Sequence, residues 1–77
     1  MTSACILIRV KPVFAQKILT KVKAVRGVVE AFRVFGRYDL VVFAEGRSSE
    51  EVARVSVEIN GLEGVRATQT IMEIEVP

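Results

Sequence analysis

Histidine is absent from the chain, and cysteine occurs once, as Cys5. The first absence removes the commonest general base and the commonest nitrogen metal ligand together. A zinc, copper or iron centre would have to rest on carboxylates, and the acidic residues do not cluster for one. No catalytic residue, metal or cofactor is expected. A lone cysteine excludes an internal disulfide. Within an apolar strand pattern, Cys5 reads as a plain buried thiol rather than a reactive one.

Long apolar runs are missing too. The longest, Ala4–Ile8 and Leu40–Ala44, fall far short of the ~20 residues of a membrane span. The N-terminus lacks a basic start followed by a longer apolar region, so no signal peptide is expected. A cytoplasmic location without a membrane partner follows as the expectation. Neither GxGxxG nor GxxxxGK[ST] occurs, which leaves Gly27, Gly61 and Gly64 as turn punctuation rather than a phosphate loop. Basic runs are lacking as well: the net charge is +2, with Lys and Arg scattered along the chain. That pattern offers no phosphate-binding footprint, and nucleic acid is not an expected direct partner.

What is present is apolar surface in excess. The 77 residues are 51% hydrophobic, with a mean hydropathy of +0.38. A domain of this size buries only about 60% of its unfolded surface. The surplus must therefore be exposed or be covered by another copy, and self-association is the simpler outcome.

Ala4–Val10 reads as the first strand, apolar and β-branched. Pro12 is acceptable in a first helical turn. Phe14, Ile18, Val22 and Val25 then recur at helical spacing over about Val13–Val25, ended by Arg26-Gly27. Val28–Phe35 is the second strand and Leu40–Glu45 the third, joined closely enough for an antiparallel hairpin. Ser48 and Glu51 have capping-box spacing before a helix over about Ser49–Ile59, whose buried stripe is Val52, Val55 and Ile59. Asn60-Gly61 stops it, and Val65–Val76 contains the fourth strand. Arg26-Gly27-Val28 and Glu63-Gly64-Val65 stand 37 residues apart at equivalent places. Each half is thus a β-α-β unit. The expected fold is a single α+β domain, ferredoxin-like βαββαβ, with both helices on one face of a four-stranded antiparallel sheet.

Strand alternation puts Ala4, Ile6, Ile8 and Val10 on one face and Cys5 and Leu7 on the other. Phe32 and Val34 oppose Ala31 and Phe35, and Leu40 and Val42 oppose Val41 and Phe43. Both faces are apolar, while two helices cover one. An identical sheet is the natural cover for the other.

Two polar segments interrupt this pattern. Gly36-Arg37-Tyr38-Asp39 reads plainly as a hairpin turn. The functional alternative is a polar loop offering backbone groups, a tyrosine and a carboxylate to a small zwitterion. Thr68, Gln69 and Thr70 suit an exposed strand, or a small-molecule pocket. Glu73 and Glu75 alternate on one face without a nucleophile beside them, which favours a solvated edge or a salt bridge across an interface.

With Val25-Arg26-Gly27-Val28, Gly36-Arg37-Tyr38-Asp39-Leu40, and Gly64-Val65 followed by Thr68 and Thr70, the whole chain resembles the effector-binding (RAM) domain of the Lrp/AsnC transcriptional regulators. It resembles their stand-alone members, since no helix-turn-helix segment precedes it. The resemblance implies a non-catalytic amino-acid sensor that dimerises through its sheet as an α+β barrel. Such dimers would assemble into an octameric or decameric ring, and a full-length Lrp/AsnC relative is an implied partner in transcription regulation. It also implies an amino-acid effector in clefts between dimers, lined by Gly36, Tyr38, Asp39, Thr68 and Thr70, with Arg37 and Gln69 adjoining. The alternatives are a small dimeric α+β-barrel enzyme with a pocket between helices and sheet, and a purely structural oligomerisation module.

Overall fold

A computed structural model describes residues Met1–Glu73 of the chain. The elements run β1 (Thr2–Val10), a 3-10 turn (Pro12–Phe14), α1 (Ala15–Lys23), β2 (Val28–Arg33), β3 (Leu40–Gly46), α2 (Ser49–Asn60) and β4 (Val65–Met72). The strands form one antiparallel sheet in the order β2-β3-β1-β4. This is the βαββαβ ferredoxin-like arrangement that the hydrophobic pattern predicts.

The helices cover one face. Ala4, Ile6, Ile8 and Val10 of β1, Ala31 of β2, and Leu40, Val42 and Ala44 of β3 are buried there. They form a single core with Ala15, Ile18, Leu19 and Val22 of α1 and Val52, Val55 and Ile59 of α2. Burying a Val, Leu or Ile side chain contributes roughly 1.5–3 kcal/mol, so this layer holds the fold together.

The 37-residue repeat extends into the packing. Ala15, Ile18 and Val22 correspond to Val52, Val55 and Ile59, all buried. The sheet register shifts between Val28 and Glu30 and again between Arg9 and Val10, leaving Val29 and Arg66 without a cross-strand partner. Those two bulged residues are also 37 apart (66 − 29). Gly27 and Gly64 enter their strands at φ +102° and +95°. A Cβ on Gly64 would lie 2.6 Å from Cγ of Phe14, and one on Gly27 would lie 2.8 Å from Cγ2 of Val55. Each half's glycine thus makes room for the other half's apolar side chain.

Three expectations need correction. Helix one does not begin at Val13. Lys11 is held extended (φ −70°, ψ 131°) before Pro12, and the first turn closes as 3-10. Phe14 is the hinge between the two helical pieces and is only partly buried. Its far end also falls short of Val25: Ala24 and Val25 close tight turns onto Lys21 and Val22. Strand two ends at Arg33 rather than Phe35. Val34 N–H still donates to Asp39 O at 2.9 Å, but Gly36 then takes φ +130°. Phe35 leaves the sheet and is fully exposed instead of lying on Ala31's face.

The helix-free face carries Cys5 and Leu7, both half-buried, with Phe32, Val41, Phe43 and Ile71 across the neighbouring strands. Phe32 and Phe43 are 39% exposed and Ile71 53%. The two phenylalanine rings contact each other at 6.1 Å and 40°. An apolar patch on a sheet face is therefore present, as the alternation requires.

Candidate functional site

The Gly36–Asp39 segment lies where β1 ends and β3 and β4 begin. Asp39 closes it onto β1. Its N–H donates to Ile8 O at 2.8 Å, and its Oδ2 accepts from Val10 N–H at 2.8 Å. The carboxylate thus takes up a backbone donor of β1 beyond the last β1–β3 pair, Ile8 with Leu40. Oδ1 has no partner among the described residues.

Tyr38 hydroxyl donates to Gln69 Oε1. Because β1 separates β3 from β4, the tyrosine side chain reaches over β1 to make this bond. Gln69 pairs with Leu7, on the helix-free face, so the crossing is on that face. Gln69 keeps its amide donors free, and Tyr38 keeps its oxygen lone pairs. Arg9, exposed and next but one to Leu7 along β1, shares this face.

Thr68 and Thr70 stand on the opposite side of β4. They pair with Ile8 and Ile6, which are fully buried beneath the helices. Thr70 Oγ1 and Ser56 Oγ are 2.5 Å apart, and Thr68 hydroxyl donates to Asn60 Oδ1 at 3.4 Å. The anticipated residues therefore form two groups. Gly36, Arg37, Tyr38, Asp39 and Gln69 gather at the hairpin end. Thr68 and Thr70 join α2 across an edge strand. Ser56 and Asn60 were missed as site neighbours, yet the repeat carries the signal for Ser56: it occupies the place of buried Leu19 in the other half (56 − 19 = 37).

Glu73 is at the far end of the sheet. Its Oε1 accepts from Ser3 N–H at 3.1 Å and Ser3 hydroxyl at 3.0 Å, so it clasps β4 to β1. Glu75 lies outside the described residues. Near that end an open cleft of about 530 Å³ runs between α2 and the α1–β2 turn, lined by Arg26, Glu45, Arg47, Glu51, Arg54 and Glu58 among others. Long charged side chains of both signs at the rim describe a solvated groove rather than a built site. Among the described residues no group of three or more Cys, Asp or Glu is placed to hold a metal ion, and no helix is long and apolar enough to cross a membrane.

A four-stranded antiparallel βαββαβ sheet with two helices on one face defines the ferredoxin-like class. The chain belongs to the Lrp/AsnC ligand-binding domain family, whose model matches residues 3–77. It is 32% identical over 73 residues to the HTH-type transcriptional regulator FL11 of Pyrococcus furiosus. That alignment takes in 95% of this chain and 48% of the regulator, so the chain spans about half of that relative's length. Among solved structures it is similar to TTHA0845 of Thermus thermophilus, with TM-score 0.92, 31% identity, and coverage of 100% of this chain and 98% of that one. E. coli AsnC shares the fold, with TM-score 0.85 and 22% identity over 99% of this chain and 52% of its own.

Proposed function

We propose that this chain is a non-catalytic effector sensor: it binds a free amino acid at the hairpin end and self-associates through its helix-free sheet face. The observation that carries this reading is the Tyr38–Gln69 bond. It lies on the same face as Leu7, Phe32, Phe43 and Ile71, so effector residues and self-association surface adjoin. A ligand held there changes the surface offered to a second copy, and affinity and assembly become linked. Asp39 Oδ1 is the acceptor for the ligand's ammonium, and Gln69 amide is a donor for its carboxylate. Thr68 and Thr70 belong to a contact between dimers made by the outer side of β4 and α2. The output is an altered assembly, or altered mixing with a full-length regulator of the family. In that arrangement the chain acts in the cytoplasm without touching DNA itself.

A thermal-shift screen of the common amino acids tests the reading, followed by mass measurement of the assembly with and without each hit. A ligand at 100 times its Kd stabilises the folded state by about 2.7 kcal/mol, well within reach of such a screen. No shift with any amino acid would refute effector binding. A hit that leaves the assembly unchanged would refute the linkage.

A further inference from the structure

Five of the chain's 11 cations, far apart in sequence, stand at one end of the sheet. Arg9 pairs with Ala67 at the end of β1, and Lys11 N–H donates to Gly64 O at 3.0 Å. Arg33 pairs with Leu40, Arg37 is in the hairpin connection, and Arg66 is the bulged residue of β4. All are exposed, all stand at the hairpin end of the sheet, and none has a side-chain partner among the described residues. Against them stand Glu63, in the turn before β4, and Asp39, half of whose carboxylate is engaged by Val10. The opposite end of the sheet carries Glu30, Glu45 and Glu73 together with Arg26 and Arg47, so charges of both signs meet there.

From this distribution we infer that the effector is a dicarboxylate, an acidic amino acid rather than a neutral or basic one. The inference rests on the amino-acid reading above and specifies it. A neutral amino acid brings one carboxylate, which the Gln69 amide and a single arginine satisfy. Arg9 and Arg37, the two arginines beside Tyr38, would then share that single carboxylate, whereas Arg33 and Arg66 stand on the two outer strands. A second carboxylate leaves both Arg9 and Arg37 neutralised, and guanidinium groups offer paired donors that match it. A lysine or arginine ligand would instead place a side-chain cation in a field already positive. Arg9 is the principal partner, since it flanks the path of Tyr38 over β1. Arg37, next to Tyr38 in the loop, is the second.

Calorimetric titration of the full chain with L-glutamate, L-aspartate, their amides and L-lysine tests this, at low and at physiological salt. The better acid should bind at least about 10-fold more tightly than its own amide, the effect of one charge-assisted hydrogen bond. The margin should narrow as salt screens the cations. Arg9→Gln and Arg37→Gln should each weaken the acid about 10-fold, and the one that removes the partner of the side-chain carboxylate should move the amide less than about twofold. Both positions are exposed, so the variants should fold, and circular dichroism and mass measurement verify it. Tighter binding of an amide or of lysine overturns the dicarboxylate inference and leaves the amino-acid reading standing. Binding of none of them overturns the dicarboxylate inference, and the amino-acid reading falls with it if the screen of the common amino acids is blank as well. Salt-sensitive binding of duplex DNA in place of any amino acid, lost in the same arginine variants, would show that the cationic end serves a polyanion and would overturn the inference too.

Discussion

Asp39 serves the fold and the proposed site with different oxygens, which makes it separable by substitution. Asp39→Asn keeps an acceptor for Val10 N–H but removes the charge. Stability should fall by about 1 kcal/mol, the difference between a charge-assisted and a neutral hydrogen bond. Affinity for the effector should fall about 10-fold to 150-fold if Oδ1 holds its ammonium. Asp39→Ala strands the Val10 donor instead and should cost about 1–3 kcal/mol. Urea unfolding and calorimetry read the two quantities independently. Unchanged affinity in the Asn variant would leave Asp39 as a clasp for the hairpin and nothing more. Glycines separate in the same way. Gly36 stands at φ +130° in open space, whereas Gly64 stands at φ +95° against Phe14. Gly36→Ala should cost backbone strain alone, about 1–3 kcal/mol. Gly64→Ala adds overpacking of about 1–3 kcal/mol, so its unfolding midpoint should be the lower of the two. The reverse order would mean that Phe14 moves aside freely.

At the scale of elements, the start of α2 is fixed by one side chain. Ser48 is extended (φ −143°, ψ 164°) and its Oγ accepts from Glu51 N–H at 3.3 Å. Ser48→Ala should lower stability by about 1 kcal/mol, read as a shift in the urea midpoint without a change in slope. That cap, the helix stripes and the pairing of β2 with β3 were all legible in the sequence, because each follows from local spacing. The ends of β2 and α1 were less so. Val34 and Phe35 continue an apolar run, and Phe35 is released where Gly36 turns the chain at φ +130° and Asp39 closes it onto Ile8 and Val10. The polar segments proposed for the site were legible in the sequence, but not the side of the sheet on which each residue falls. Thr68, Gln69 and Thr70 are consecutive, and alternation along β4 sends the threonines toward α2 and the glutamine toward Tyr38. Which way each points depends on the bulge at Arg66, which no local signal marks. That Arg9, Arg33, Arg37 and Arg66 stand at one end of the sheet was invisible for a related reason: it follows only once the strand order and directions are known.

For the whole molecule, the decisive quantity is what covers the helix-free face. A face-to-face contact with a second copy should bury about 1,200–2,000 Å² in total, the range of a specific interface. Phe43 is well placed to report it. It sits between Cys5 on β1 and Glu30 on β2 in the cross-strand register. Its ring is 39% exposed in the single chain, so substitution there disturbs the interface more than the core. Phe43→Glu would place a second carboxylate beside Glu30 and desolvate both on association, a cost of several kcal/mol per buried ion. The variant should remain folded by circular dichroism but run as a monomer in light scattering at micromolar concentration. Phe35→Glu is the control: Phe35 is more exposed but off the sheet, and assembly through the helix-free face should survive its loss. Cys5 offers an independent readout from the same face. Its alkylation should be slow in the parent protein and fast in Phe43→Glu, since the thiol is uncovered only when the sheets part. A parent chain that is already a stable monomer would remove the self-association reading. Monomerisation by Phe35→Glu with Phe43→Glu still assembled would move the interface from the sheet face to the hairpin end.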